Sequence, residues 1–164
     1  MDADLAPERL RALPSWLLSQ AAIRARREVS HALDELGAHR SHYAVLAALE
    51  EAGPQSQADL GRRCAIDRSD MHALVGVLEG EGYLVREPDP ADRRRNRIAI
   101  APPGRRRLRL LETRLHAAQD AALAPLSAHE RAQLVALLDR VVAGGDDGVD
   151  GGDGDDGGDP GPAR

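Results

Sequence analysis

At 164 residues, with no Phe, one Trp and two Tyr, the chain has room for one domain whose core must be Leu, Ala, Val and Ile, which suits helices better than a sandwich. A single Cys64 excludes an intrachain disulfide framework; with no run near the roughly 18 apolar residues of a membrane span, and an acidic start, MDADLAPERL, where a signal peptide is basic, a cytoplasmic protein is expected. The net charge of −5 does not exclude nucleic acid: residues 144–164 hold seven Asp against one Arg, leaving +1 elsewhere, and residues 86–109 hold nine Arg against three acids.

In chain order, residues 1–13 read as a loose start or a short extra turn. Pro14 suits the first turn of a helix, where its missing N–H costs nothing. From 15 to 36 the residues Trp16, Leu17, Ile23, Val29, Leu33 and Leu36 lie mostly on one stripe, and Gly37 is a C′ stop. A second helix over 41–51 carries Tyr43, Val45, Leu46 and Leu49 and ends at the Gly53-Pro54 break. Ser56 with Asp59, then Asp67 with Asp70, have N-cap and N3 spacing. Helices over 57–64 and from 68 to about 80 are therefore expected, separated by a short turn. The latter has Ile66, Met71, Leu74, Val75 and Leu78 on its apolar side.

Two short alternating runs, 83–87 and 96–100, flank Pro88-Asp89-Pro90-Ala91-Asp92-Arg93-Arg94-Arg95, a hairpin with a long basic turn. After Pro102-Pro103-Gly104 a helical pattern carries Leu108, Leu111, Leu115, Ala118 and Ala122 to about 124. Pro125 interrupts it. Ser127 and Glu130 cap a last helix with the stripe Leu134, Leu137, Leu138 and Val141. From 144 onward Gly, Asp and Pro offer almost nothing to bury, so a disordered acidic tail is expected, inert or weakly competing with DNA for the arginines.

The expected fold class is mainly α with a small β-hairpin: a winged helix-turn-helix flanked by N- and C-terminal dimerisation helices. The domain spans 1–143, with a DNA-binding core at about 41–101 and dimerisation helices at about 14–36 and 102–142. Long Leu/Ala stripes with nothing else in the chain to cover them imply a two-fold homodimer.

The run LVGVLEGEGYLVREPDPADRRRNRIAIAPPGRRRL resembles the MarR family of bacterial transcription regulators. That family's pattern is a recognition helix ending in Leu-Glu, then Gly-Leu-Val-x-Arg, Asp-Pro-x-Asp-x-Arg and Leu-Thr-x-x-Gly. The counterparts are Leu78-Glu79, Gly82-Tyr83-Leu84-Val85-Arg86, Asp89-Pro90-Ala91-Asp92-Arg93-Arg94 and Ile100-Ala101-Pro102-Pro103-Gly104. SHYAVLAALEEAGPQSQADLGRRCAIDRS matches the preceding helices, and the resemblance covers about 14–142. It implies a dimer built on the first, fifth and sixth helices. It also implies palindromic operators near the protein's own gene, with repression relieved by small aromatic or phenolic ligands or by cysteine oxidation; a minority of the family bind metal. Ala101 before two prolines replaces the family's Thr cap, so the cap there must come from backbone or water.

Double-stranded DNA is thus the expected partner, with the protein nucleoid-associated when bound. Arg68, Ser69 and His72 start the recognition helix and are the major-groove candidates; an Arg there can pair bidentately with guanine. Asp67 reads as a helix cap, and Asp70 mainly so. Arg93, Arg94 and Arg95 stand at the wing tip, where a narrow groove concentrates negative potential. The resemblance makes Asp92 the residue that orients the wing and Arg94 the one that enters or lines the minor groove. Arg97 and Arg86 support the wing or touch phosphate, and Arg97 is counted with the DNA-binding set. Ser56 and Gln57 are candidate phosphate donors. Arg105, Arg106, Arg107 and Arg109 oppose the dipole of the helix they start, which points to phosphate or acidic contacts.

Trp16, Arg24, His39, His42 and Tyr43 are candidates for a pocket that would take an aromatic acid or phenol. Trp16 is weighed against dimer core, and the histidines against exposure at a helix start or satisfied core polarity. The resemblance to the urate-binding branch rests on Trp16 alone. The peroxide-sensing branch keeps its cysteine in the first helix, so Cys64 reads instead as a small buried core residue. His39 and His42 lack the further ligands a zinc site needs. No cofactor, metal or catalytic residue is expected, and an enzyme is disfavoured because no nucleophile has a partnered base and no phosphate loop is present. The remaining alternative is a winged interaction module without DNA binding.

Overall fold

The computed structural model describes residues 6–90, 92, 94 and 96–144. Its elements are α1 (Glu8–Arg11), α2 (Pro14–Asp34), α3 (Arg40–Ala52), α4 (Gln57–Cys64), α5 (Arg68–Gly80), β1 (Leu84–Pro88), β2 (Asn96–Ile100), α6 (Pro102–Ala122) and α7 (Ala128–Ala143). Two compact units divide the chain, Met1–Leu123 and Ala124–Arg164.

In the first unit, Pro14 opens α2 as its composition requires. The helix ends at Asp34, two residues before the expected Leu36. Gly37 at φ +61° lets the Ala38 N–H fold back onto the Leu33 carbonyl at 3.0 Å, which closes the C-terminus. α4 and α5 start on the anticipated caps: the Ser56 hydroxyl accepts from the Asp59 N–H, and the Asp67 carboxylate accepts from the Ser69 and Asp70 N–H groups. Between them Ala65 sits in the left-handed region at φ +51°, and the Ile66 N–H reaches the Gly61 carbonyl at 3.0 Å. That is the tight turn of the helix-turn-helix.

β1 and β2 pair antiparallel with Leu84 opposite Ile100 and Pro88 opposite Asn96, one residue beyond the run expected for the first strand. An isolated bridge between Gln55 and Ile98 adds a third, one-residue edge. The core is aliphatic throughout. Leu33, Val45, Leu46, Leu49, Leu60, Met71, Val75, Leu78, Leu84, Ile98 and Leu111 are almost fully buried, and among the described residues no polar side chain is buried with them. α6 packs chiefly against α2 and supplies Leu108, Leu111 and Leu115. It ends at Ala122 rather than near 124. Cys64 corrects the expectation of a buried thiol: it is half-buried at the core's edge, and that burial pushes its pKa up.

The start of α6 is set by a close approach. Ala101 caps it without a side-chain bond, and the Ala101 N–H instead donates to the Tyr83 carbonyl at 2.9 Å. A Cβ added at Gly104 would press into that same carbonyl oxygen and stand 2.9 Å from Ile100 Cγ1. Backbone cannot step aside as a flexible side chain can. Gly104→Ala is therefore expected to destabilise the fold by about 1–3 kcal/mol, the usual cost of overpacking. Urea denaturation checks this, and an unchanged midpoint would refute the close-packing account.

The second unit begins with a reciprocal cap. Ser127 Oγ accepts from the Glu130 N–H, and the Glu130 carboxylate accepts from the Ser127 N–H at 2.8 Å. The Ser127 hydroxyl also donates to the Glu130 carboxylate at 2.7 Å, and this bond, then the one from the Ser127 N–H, holds the Glu130 carboxyl below the usual range. Along α7, Val135, Leu137, Val141 and Val142 are exposed. Among the described residues no helix is long and apolar enough to cross a membrane. The tail from 145 onward lies outside the described residues.

Candidate nucleic-acid interface

The start of α5 is built around one carboxylate oxygen. Asp67 Oδ1 accepts from the Ser69 N–H at 2.9 Å, the Asp70 N–H at 2.9 Å and the Ser69 hydroxyl at 2.8 Å. The Asp70 amide, then the Ser69 hydroxyl, hold the Asp67 carboxyl below the usual carboxylate range, so it is ionised at neutral pH. Arg68, Ser69 and His72 are all exposed, while Met71, Leu74, Val75 and Leu78 bury the other side of the helix. The Ser69 hydroxyl donates to Asp67, which leaves its exposed oxygen able to accept. Ser69 is thereby presented as an acceptor, suited to the amino group of adenine or cytosine.

α4 begins in a similar way. The Ser56 hydroxyl donates to Asp59 Oδ2 at 2.6 Å, and Asp59 is also paired with Arg62. Donation from that hydroxyl to a phosphate would have to displace Asp59. The first-turn N–H groups beside the half-buried Gln57 remain the more available donors.

At the wing tip, Asp92 Oδ1 accepts from the Arg94 N–H at 3.0 Å, a short turn that leaves the Arg94 side chain exposed. Arg93 and Arg95 lie outside the described residues. Arg86 reaches back from β1 to Glu79 of α5 at 3.0 Å, the supporting role expected of it. Arg97 is half-buried, and its Nε and Nη2 both donate to the Pro54 carbonyl, at 3.1 and 2.6 Å. Arg105 pairs with Glu50 of α3 at 2.8 Å, the acidic contact foreseen for the start of α6.

Of the five pocket candidates, the structure brings His39 and His42 into ring contact, with centroids 5.4 Å apart. The His39 N–H donates to His42 Nδ1 at 3.1 Å, and His39 Nδ1 lies 3.7 Å from Asp34. Burial, followed by the His39 charge, pushes the His42 pKa down; Arg107 adds to this and Glu81 opposes it. Tyr43 is half-buried against the core and its pKa is raised by burial first, then by Glu112 and Glu51. Trp16 is half-buried and Arg24 exposed, both on α2.

Gln55, which the sequence did not single out, and Arg107, expected at a phosphate or acidic contact, complete the frame. Gln55 exchanges two backbone bonds with Ile98, at 3.0 and 2.8 Å, and its side chain donates to the Ala48 carbonyl at 3.1 Å. Arg107 donates to the Leu36 carbonyl and lies 5.7 Å over the Tyr83 ring. A one-residue bridge and a cation on a distant carbonyl leave no pattern that local spacing reveals.

The chain is similar in sequence and fold to known proteins. A model of the MarR family matches residues 36–95. The HTH-type transcriptional regulator YkoM of Bacillus subtilis is 33% identical over 107 residues, covering 65% of this chain and 69% of that protein. The PcaV transcriptional regulator of Streptomyces coelicolor, solved with its natural ligand, is 29% identical with a TM-score of 0.67, covering 85% of this chain and 98% of that one. A MarR family protein of Mycobacterium tuberculosis, solved in complex with DNA, is 25% identical with a TM-score of 0.69, covering 79% and 98%. The chain spans between 34% and 69% of the length of the curated relatives it matches.

Proposed function

The chain belongs to the MarR family of transcriptional regulators, and from that membership we propose that it binds a palindromic operator as a homodimer and represses transcription until a small aromatic or phenolic ligand releases it. The start of α5 carries this reading. An ionised Asp67 fixes the first turn so that Arg68, Ser69 and His72 stand on the exposed side of α5, opposite its buried Met71, Leu74, Val75 and Leu78, and Arg94 stands exposed on the wing. One helix in the major groove and one basic wing beside it give base readout and backbone or minor-groove contact together.

The homodimer is supported by exposed apolar side chains. In the first unit Leu13, Leu17, Leu18 and Ile23 are open, and in the second Val135, Leu137, Val141 and Val142. Two-fold symmetry then places half-sites about one helical turn apart. Ligand release is supported by the PcaV complex and by the polar and aromatic set His39, His42, Tyr43, Trp16 and Arg24.

Titration of the full chain against duplex from its gene's upstream region and a scrambled duplex tests the reading. A sequence-dependent complex that weakens steeply with salt is expected. No such complex, even at low salt, defeats it. Thermal-shift screening of aromatic acids and phenols tests the ligand class.

A further inference from the structure

The wing is tied to the front of α4 at a single point. β2 and the segment ahead of α4 share the two Gln55–Ile98 backbone bonds, and Arg97, next along β2, donates from Nε and Nη2 to the Pro54 carbonyl at 3.1 and 2.6 Å. Pro54 lacks an N–H and cannot itself join the ladder, so its carbonyl is the acceptor available beside Gln55. From Gln55 the chain runs directly into the Ser56 cap of α4, and Gln55 also reaches the Ala48 carbonyl of α3. From Arg97 it runs back through Asn96 to the Arg94 tip. Arg86 provides a parallel tie from β1 to Glu79 of α5, but through an exposed ion pair between two flexible side chains. The half-buried fork on a fixed carbonyl is the stiffer of the two.

We propose that Arg97 is a positioning residue for DNA binding: by clamping the Pro54 carbonyl it sets the place of the wing tip relative to α4 and the recognition helix. This rests on the operator-binding reading above and departs from a direct contact between Arg97 and DNA. A guanidinium with two arms on a carbonyl has little freedom to follow a phosphate. The base of the wing is anchored by buried Leu84 and Ile98, but its link to the segment ahead of α4 is one backbone bridge, and the Arg97 fork stiffens that link so that Arg94 stays in register with Arg68.

The consequences separate positioning from contact. In full-length protein, Arg97→Ala is expected to weaken operator binding about tenfold. The slope of log affinity against log salt should stay the same, because no phosphate contact is lost. In an Arg94→Ala background the same change should cost less than about twofold, since the strut acts through the wing. Arg97→Lys keeps the charge but not the fork, and should behave like Arg97→Ala. A reduced salt slope with additive losses, or full rescue by Lys, overturns the proposal in favour of a direct contact. Unchanged affinity overturns it as well.

Amide hydrogen exchange without DNA gives an independent readout. Arg97→Ala should speed exchange at Gln55 and Ile98 while α3 and α6 stay protected. Unchanged exchange rejects the strut even where binding falls. If wild-type protein binds no operator, the function reading fails, while the exchange result still decides the strut. Arg97→Gln replaces the alanine variant in each measurement should the latter fail to fold.

Discussion

Operator binding is expected to weaken at least about tenfold in Arg94→Ala, and up to about a hundredfold if both wings of a dimer lose their contact. The Arg94 side chain is exposed, and its N–H is bonded to Asp92 Oδ1 at 3.0 Å, so the turn leaves the guanidinium available to a groove or phosphate. A guanidinium in a narrow groove or on a phosphate makes a charge-assisted bond worth about 1.5–3 kcal/mol. One such bond corresponds to a factor of ten or more, and two-fold symmetry doubles the free energy. Fluorescence anisotropy with a labelled duplex measures the change, and Arg94→Lys should retain part of the affinity. Equal affinities for Arg94→Ala and wild type would remove Arg94 from the interface. Because the side chain is exposed, the melting temperature should hold, which separates lost contact from lost fold.

Helix starts were readable because capping is local. Ser56 with Asp59, Asp67 with Asp70 and Ser127 with Glu130 each stand three residues apart, and each makes its cap. Strand limits fell within one residue for the same reason: alternation and the Pro-Asp-Pro turn are short-range signals. The geometry that turns a wing into a placed wing was not readable. Arg97 meets a carbonyl 43 positions earlier, and Arg105 meets a carboxylate 55 positions earlier. Periodicity carries no information at such separations. Gly104 could be quoted as part of a motif, but its necessity emerges only with the Tyr83 carbonyl beside it. The stripe on α2 is helical, yet of its residues only Leu33 is fully buried, with Val29 partly so, since periodicity does not say what covers a face. The pocket candidates were weakest for a related reason. Polar and aromatic residues scattered over α2 and α3 share a composition, whereas the ring contact joins His39 and His42.

The exposed side of α2 leads to the other large effect. Leu17 is 52% and Ile23 60% exposed, with Leu13 and Leu18 also open, an apolar surface more typical of an interface than of solvent. Leu17→Glu with Ile23→Glu is expected to convert the protein to monomer in sedimentation equilibrium. Charges placed on open positions should cost the isolated fold little. Buried in a two-fold interface, each would meet its own symmetry mate's surroundings and remain unpaired. Affinity for a full palindrome should then fall by about a hundredfold or more, because linking two half-site binders multiplies affinity by about 10²–10⁴ without any new contact. Affinity for a duplex carrying one half-site should not change, since Arg68, Ser69, His72 and Arg94 are untouched. That contrast identifies the cause: loss on both duplexes means damage to the recognition helix or wing, whereas loss on the palindrome alone means that the two wings no longer act together. A variant that stays dimeric and keeps full palindrome affinity would place the interface away from α2.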